Sequence, residues 1–125
     1  MEKIRILVTG VGNRALPKDP ERSNWKGWIQ LIDESEQCEL VGAHDVSEQS
    51  LKRITDRDYL QRDQVFTNLD EMLTSVHADA LLVTNPAEYH AAAIRNAVEC
   101  GLHVLVEKPF VNDLEQGKEL LEVIQ

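Results

Sequence analysis

The chain is poor in the residues that mark most specialised classes. Its two cysteines, Cys38 and Cys100, lie far apart, with neither a CxxC pair nor a histidine-rich partner spacing. That pattern argues against a disulfide scaffold or a zinc module, and both read as small buried residues in a reducing compartment. Aromatic residues make up 5% of the chain, too few for a base-stacking surface. Lysine and arginine number 13 against 22 acidic residues, a net charge of -9, which argues against a nucleic-acid partner. No apolar run approaches the roughly 18 residues that a membrane span needs. The start, Met1 to Arg5, runs straight into an apolar segment with no signal-peptide pattern. No membrane partner is expected, and the compartment expected is the cytoplasm. No repeat, low-complexity tract or linker interrupts the sequence.

What is present is 42% apolar residues in 125, enough to fill the core of one domain, residues 1–125. Short apolar runs alternate with helical spacings. Ile4 to Thr9, Glu39 to Ala43, Val65-Phe66, Ala80 to Thr84 and His103 to Val106 read as five strands. Helices are expected through Trp25, Trp28, Ile29 and Ile32, with Ser23 or Asn24 as cap, and through Leu51 and Ile54 after Ser47. A third follows the Asn68/Glu71 capping box, carrying Leu69, Met72, Leu73 and Val76. A fourth carries Ala87, Ala91, Ile94 and Val98, with Asn85-Pro86 at its start and Gly101 at its stop. A fifth opens at Asn112 with Glu115 and runs through Leu121 and Ile124. Thr55 to Gln64 is charged and aperiodic and reads as a helix end followed by a loop. Five strand–helix units predict an α/β, doubly wound parallel sheet (a Rossmann fold) in the order 3-2-1-4-5. The last helix reaches Gln125 without a stop signal, so a second, substrate-binding domain is expected beyond it.

In such sheets ligands bind at the carboxyl ends of the strands. Gly10-Val11-Gly12-Asn13-Arg14-Ala15 follows the first strand and fits G-x-G-x-x-A: the first glycine makes the tight turn, and the second lets backbone approach a pyrophosphate. Asn13 and Arg14 belong to the same candidate loop. The helix does not follow at once, however. Leu16 to Arg22 intervenes with two prolines, which makes a continuous helix from Ala15 improbable and puts the pyrophosphate geometry in question. Arg14 or Lys18 could then supply positive charge. Asp45, ending the second strand, can accept from ribose hydroxyls and repel a 2′-phosphate, which favours NAD over NADP. His44 beside it reads as a loop residue. Thr84, Asn85 and Pro86 fall at the topological switch point, with His90 one turn further on. Lys108, just after the fifth strand, can polarise a substrate oxygen, with Glu107 as an orienting partner. No metal-ligand spacing stands out.

Taken together, Gly10-Val11-Gly12, Asp45 after Glu39-Leu40-Val41, Thr84-Asn85-Pro86 with His90, and His103 to Pro109 resemble the amino-terminal domain of the Gfo/Idh/MocA (glucose–fructose oxidoreductase/inositol dehydrogenase) family. The pieces span almost the whole chain in family order. The resemblance implies an NAD(P)-dependent oxidoreductase of two domains, homo-oligomeric, acting on sugars, inositols or related polyols. It implies that Lys108 lies near the nicotinamide and the reacting carbon, and that the Lys108-Pro109 peptide is cis. Catalytic acid/base groups and most substrate contacts would belong to the second domain, so these 125 residues alone would bind cofactor without turnover. Two other readings stay open: a non-catalytic dinucleotide-binding or regulatory module, and a domain that has lost its cofactor through the Leu16–Arg22 excursion.

Overall fold

Leu7 and Val8, adjacent in the first strand, are both fully buried, and they belong to two different apolar clusters. Successive side chains of a strand point to opposite faces, so both faces of the sheet are covered. The computed structural model, which describes residues 2–19 and 25–125, shows why. Its elements run β1 (Ile4–Thr9), α1 (Trp28–Glu34), β2 (Cys38–His44), α2 (Glu48–Asp56), β3 (Val65–Phe66), α3 (Leu69–Ser75), β4 (Ala80–Val83), α4 (His90–Glu99), β5 (His103–Val106) and α5 (Leu114–Ile124). The five strands are parallel, in the order β3-β2-β1-β4-β5. That is the topology expected from the sequence.

One face packs Val8, Ala43 and Leu82 against Ile29 and Ile32 of α1 and Leu51 and Ile54 of α2. The other packs Leu7, Leu81 and Val83 against Met72 of α3, Ile94 and Ala97 of α4 and Leu120 of α5. Each fully buried leucine or isoleucine contributes about 1.5–3 kcal/mol. The register of β1 on β2 slips between Ile6 and Leu7, from Leu40 to Gly42. The extra residue, Val41, joins the cluster of Leu7 while Ala43 returns to that of Val8, as a bulge requires.

Several local expectations are corrected. Trp25 lies outside α1, which begins at Trp28 with Gly27 as its cap, where the Gln30 side chain accepts from the Gly27 N–H. The caps expected at Ser23 or Asn24 fall outside the described residues. Asn85-Pro86 does not open α4. A 3-10 turn, Ala87–Tyr89, comes first, and α4 starts at His90. The cap of α5 is Asp113, not Asn112, because the Asp113 carboxylate accepts from the Glu115 N–H at 2.8 Å. Neither cysteine is buried: Cys38 is half-buried and Cys100 exposed, both as free thiols. Ser47 and Asn68 cap α2 and α3 as expected, accepting from Ser50 N–H and Glu71 N–H.

Candidate functional site

Hydrogen bonds continue past the strand ends and pin the following turns together. Gly10 N–H donates to His44 O, Thr84 N–H to Thr9 O, and Glu107 N–H to Val83 O, at 2.8, 2.9 and 2.9 Å. The Thr84 hydroxyl adds a bond to Gly10 O at 2.6 Å. Gly10 has φ +93°, and a Cβ there would lie 2.7 Å from Asn85 Cβ, with the Asn85 main chain closer still. The turns after β1 and β4 therefore touch backbone to backbone, which a larger residue at 10 would prevent.

The excursion does not displace the helix start. Leu16 N–H donates to Gly12 O at 3.0 Å, closing one helical turn directly after the glycines. The chain then leaves and returns at Gly27. Trp28 N–H donates to Arg14 O at 3.0 Å and Ile29 N–H to Ala15 O at 2.9 Å. The first N–H groups of a helix lack intrahelical partners. Here the carbonyls of the Gly12–Leu16 turn supply them, so turn and α1 stack as one interrupted helix. A Cβ at Gly27 would sit 2.5 Å from Ala15 O, which explains glycine at the return point.

Arg53 of α2 and Arg57 just past its end hold the chain from Leu16 to Lys18 in place. Arg53 donates to Val11 O at 3.2 Å and to Leu16 O, and Arg57 donates to Pro17 O and Lys18 O at 2.8 and 3.0 Å. Arg53 lies half-buried, and burial lowers its pKa, with Arg57 adding to that and Asp45 opposing it. Sequence reading missed both side chains. Arg53 and Arg57 share a helix face at i, i+4 spacing, but nothing in that spacing says that their acceptors are main-chain carbonyls 40 residues upstream.

Between these turns lies a cavity of about 710 Å³. Gly10, Val11, Gly12, Asp45, Thr84, Asn85 and Pro86 line it, together with Lys18, His44, Ser50, Arg53 and Tyr89. Its size suits a small-molecule ligand. A Cβ at Gly12 would meet nothing within 4 Å, so no atom of the described residues demands glycine there. Asp45 is engaged on both oxygens, accepting from Val11 N–H at 2.7 Å and Ser47 N–H at 2.8 Å. Each carboxylate oxygen keeps a second lone pair for a ligand hydroxyl.

Asn13, Arg14, His90, Glu107 and Lys108 lie outside this lining. Asn13 instead accepts from Lys18 N–H at 3.1 Å. Arg14 lies 5.5 Å from the centre of the Trp25 ring and 4.0 Å from Glu107. His90, 1% exposed, sits between main-chain carbonyls: Nδ1 is 2.8 Å from Pro109 O and Nε2 2.6 Å from Asn85 O. Carbonyls only accept, so the ring nitrogen that carries the proton donates to the carbonyl it faces, and the buried ring sits between the β4 turn and the segment after Lys108. That burial leaves it no direct path to a ligand. Lys108 is exposed at the end of β5, and the Lys108-Pro109 peptide is cis. A wider depression of about 1100 Å³ beside α2 is lined by four carboxylates, Glu48, Asp56, Asp58 and Asp63, against two cations, Lys52 and Arg62, a balance unfavourable to phosphate. Among the described residues no His/Cys/Asp/Glu cluster could hold a metal, and no helix is long and apolar enough to cross a membrane.

His44 corrects its reading as a loop residue. It ends β2, lines the cavity and meets the buried Thr9 hydroxyl through Nδ1 at 2.7 Å. Burial lowers its pKa, against the opposing pull of the Thr67 main chain and the Asp45 charge. The unfolded chain then binds this proton more readily, so the stability is complete above about pH 6.5 and falls as pH drops below it. The difference in urea midpoint between the native protein and His44→Gln should shrink from pH 7.5 to pH 5.5. A difference that widens on acidification would refute this.

The chain spans only part of the proteins it resembles. It is 32% identical over 62 residues to inositol 2-dehydrogenase of Corynebacterium glutamicum (strain R), covering 50% of this chain and 18% of that protein. Its fold superposes on the WlbA dehydrogenase of Bordetella pertussis, solved with NADH and UDP-GlcNAcA, with a TM-score of 0.81 and 26% identity, covering 99% of this chain and 34% of that one. KijD10, a 3-ketoreductase from Actinomadura kijaniata solved with TDP-benzene and NADP, gives 0.78 and 27%, covering 98% and 35%. The model of the GFO_IDH_MocA oxidoreductase family, NAD-binding Rossmann fold, matches residues 4–125. The chain belongs to that family, as its nucleotide-binding domain.

Proposed function

We propose that this domain serves an oxidoreductase that moves hydride between a nicotinamide dinucleotide and a sugar- or polyol-like alcohol or ketone. The observation that carries the cofactor part is Gly12. It lines the cavity and is required by no atom of the described residues, which is what close approach of an external pyrophosphate demands. A bound nicotinamide supplies the hydride acceptor or donor. The residues of this chain bind and orient: Gly10 to Gly12 face the pyrophosphate, Asp45 the adenosine ribose, and Thr84 to Pro86 the far wall of the cleft. His90 acts by fixing the Asn85 and Pro109 carbonyls rather than by touching cofactor. The polyol and sugar substrate class rests on the family and on the relatives' own ligands.

Relatives are solved with NADH and with NADP, so the choice falls to this chain's own residues. Asp45 presents a carboxylate where a 2′-phosphate would sit, and we propose NAD as the preferred cofactor. The test is calorimetric titration of the chain with NAD and NADP. Saturable binding that favours NAD is expected, and Asp45→Asn should weaken NAD about tenfold, one charge-assisted hydrogen bond, while sparing NADP. No binding of either dinucleotide at millimolar concentration would overturn the cofactor reading. Equal losses for both would overturn the role of Asp45 in choosing between them.

A further inference from the structure

We propose that Lys18, held beside the glycine turn by Asn13 and Arg57, binds a phosphate of the dinucleotide; this rests on the nucleotide reading above. The main chain at Lys18 is held from both sides. Its N–H donates to Asn13 Oδ1 at 3.1 Å, and its carbonyl accepts from Arg57 at 3.0 Å. The preceding Pro17 is buried and its carbonyl accepts from Arg57 at 2.8 Å. The side chain so presented is exposed and lines the same cavity as Gly10, Val11, Gly12 and Asp45.

The other cation of that lining is committed elsewhere. Arg53 gives its terminal nitrogens to Val11 O and Leu16 O, and so builds the loop rather than meeting a ligand. Arg14 lies outside the lining, against Trp25 and Glu107. Among the described residues that line the cavity, Lys18 is thus the cation with no protein acceptor for its ammonium. On a chain of net charge -9, an entering dianion needs a local positive charge. The excursion that looks like an interruption of the phosphate loop supplies one. Because Asn13 anchors Lys18 against the glycine turn, the pyrophosphate is the phosphate it meets. The carboxylate of Asp45 on the same rim disfavours the 2′-phosphate.

The experiment titrates NAD and NADP into the native chain and into Lys18→Ala, Lys18→Arg and Lys118→Ala, each checked for an unchanged thermal midpoint. Lys118 pairs with Glu115 on α5, so its removal reproduces the change in net charge alone. Lys18→Ala should weaken both dinucleotides by a similar factor, about tenfold, with a shallower salt dependence. Lys18→Arg should restore most of the affinity, and Lys118→Ala should bind as the native chain does. Equal affinity in Lys18→Ala and Lys118→Ala would overturn the proposal. A loss confined to NADP would overturn the pyrophosphate assignment in favour of the 2′-phosphate. Absence of saturable binding in the native chain would instead overturn the nucleotide reading, an outcome distinct from either.

Discussion

Gly10→Ala should destabilise the domain by about 3–5 kcal/mol, from left-handed backbone strain plus an overpacked contact. The strain arises because φ at this position is +93°, a conformation that an L side chain adopts at a cost. The contact arises because the added methyl would fall on the main chain and Cβ of Asn85. Asn85 has no freedom to retreat. Its carbonyl is taken by His90, and its neighbour Thr84 is bonded to Thr9 and Gly10. A loss of this size is a large part of the stability of a domain this small. Urea denaturation reads it directly, and an unmoved midpoint would refute the argument. Gly12→Ala provides the contrast. Nothing among the described residues opposes its methyl, so the midpoint should hold while dinucleotide affinity falls. The two glycines of one motif thus separate into a folding requirement and a binding requirement.

Strand order and helix faces were legible in the sequence because both follow from short-range pattern. Apolar runs such as Leu81-Leu82-Val83 between turn residues mark strands covered on both faces, and side chains such as Ser47 and Asn68 mark helix starts through bonds three residues away. What escaped was long-range or depended on competition between near-equal neighbours. Asn112 and Asp113 are both competent caps, and only the geometry of the preceding turn selects the second. The interrupted helix was hidden because its bonds join Arg14 to Trp28 and Ala15 to Ile29 across two prolines that locally forbid helix. Of the candidate site, the residues at strand ends, Gly10, Gly12, Asp45 and Thr84 to Pro86, do converge on one cavity. Position along a parallel strand fixes which end of the sheet a residue reaches. His90 lies outside that lining, and its burial between two carbonyls depends on the path of the chain after β5, which no local pattern encodes.

Lys108→Ala should lower kcat about 100-fold in the oxidoreductase proposed to carry this domain, with NAD affinity changed by no more than about twofold. The main chain on either side of Lys108 is held by hydrogen bonds, and its side chain is exposed. Glu107 N–H extends the β5 pairing to Val83 O, and His90 holds Pro109 O on the other side. Lys108 itself is exposed at the carboxyl end of β5, beside the β4 turn that lines the cavity, yet outside the lining. A cation so placed is poorly sited to grip the body of the dinucleotide and well sited to meet a substrate oxygen arriving next to it. Charge developing on that oxygen during hydride transfer would be stabilised by the ammonium in the transition state more than in the ground state, so the loss falls on kcat. Lys108→Arg keeps the charge but moves it by the length of the guanidinium, and should recover only part of the rate. His90→Ala should reproduce a weaker form of the same kcat defect, because releasing Pro109 O loosens the backbone that aims Lys108. Turnover unchanged in Lys108→Ala, or a loss of NAD affinity as large as the loss of rate, would remove the lysine from the chemistry and leave it as a surface charge at a strand end.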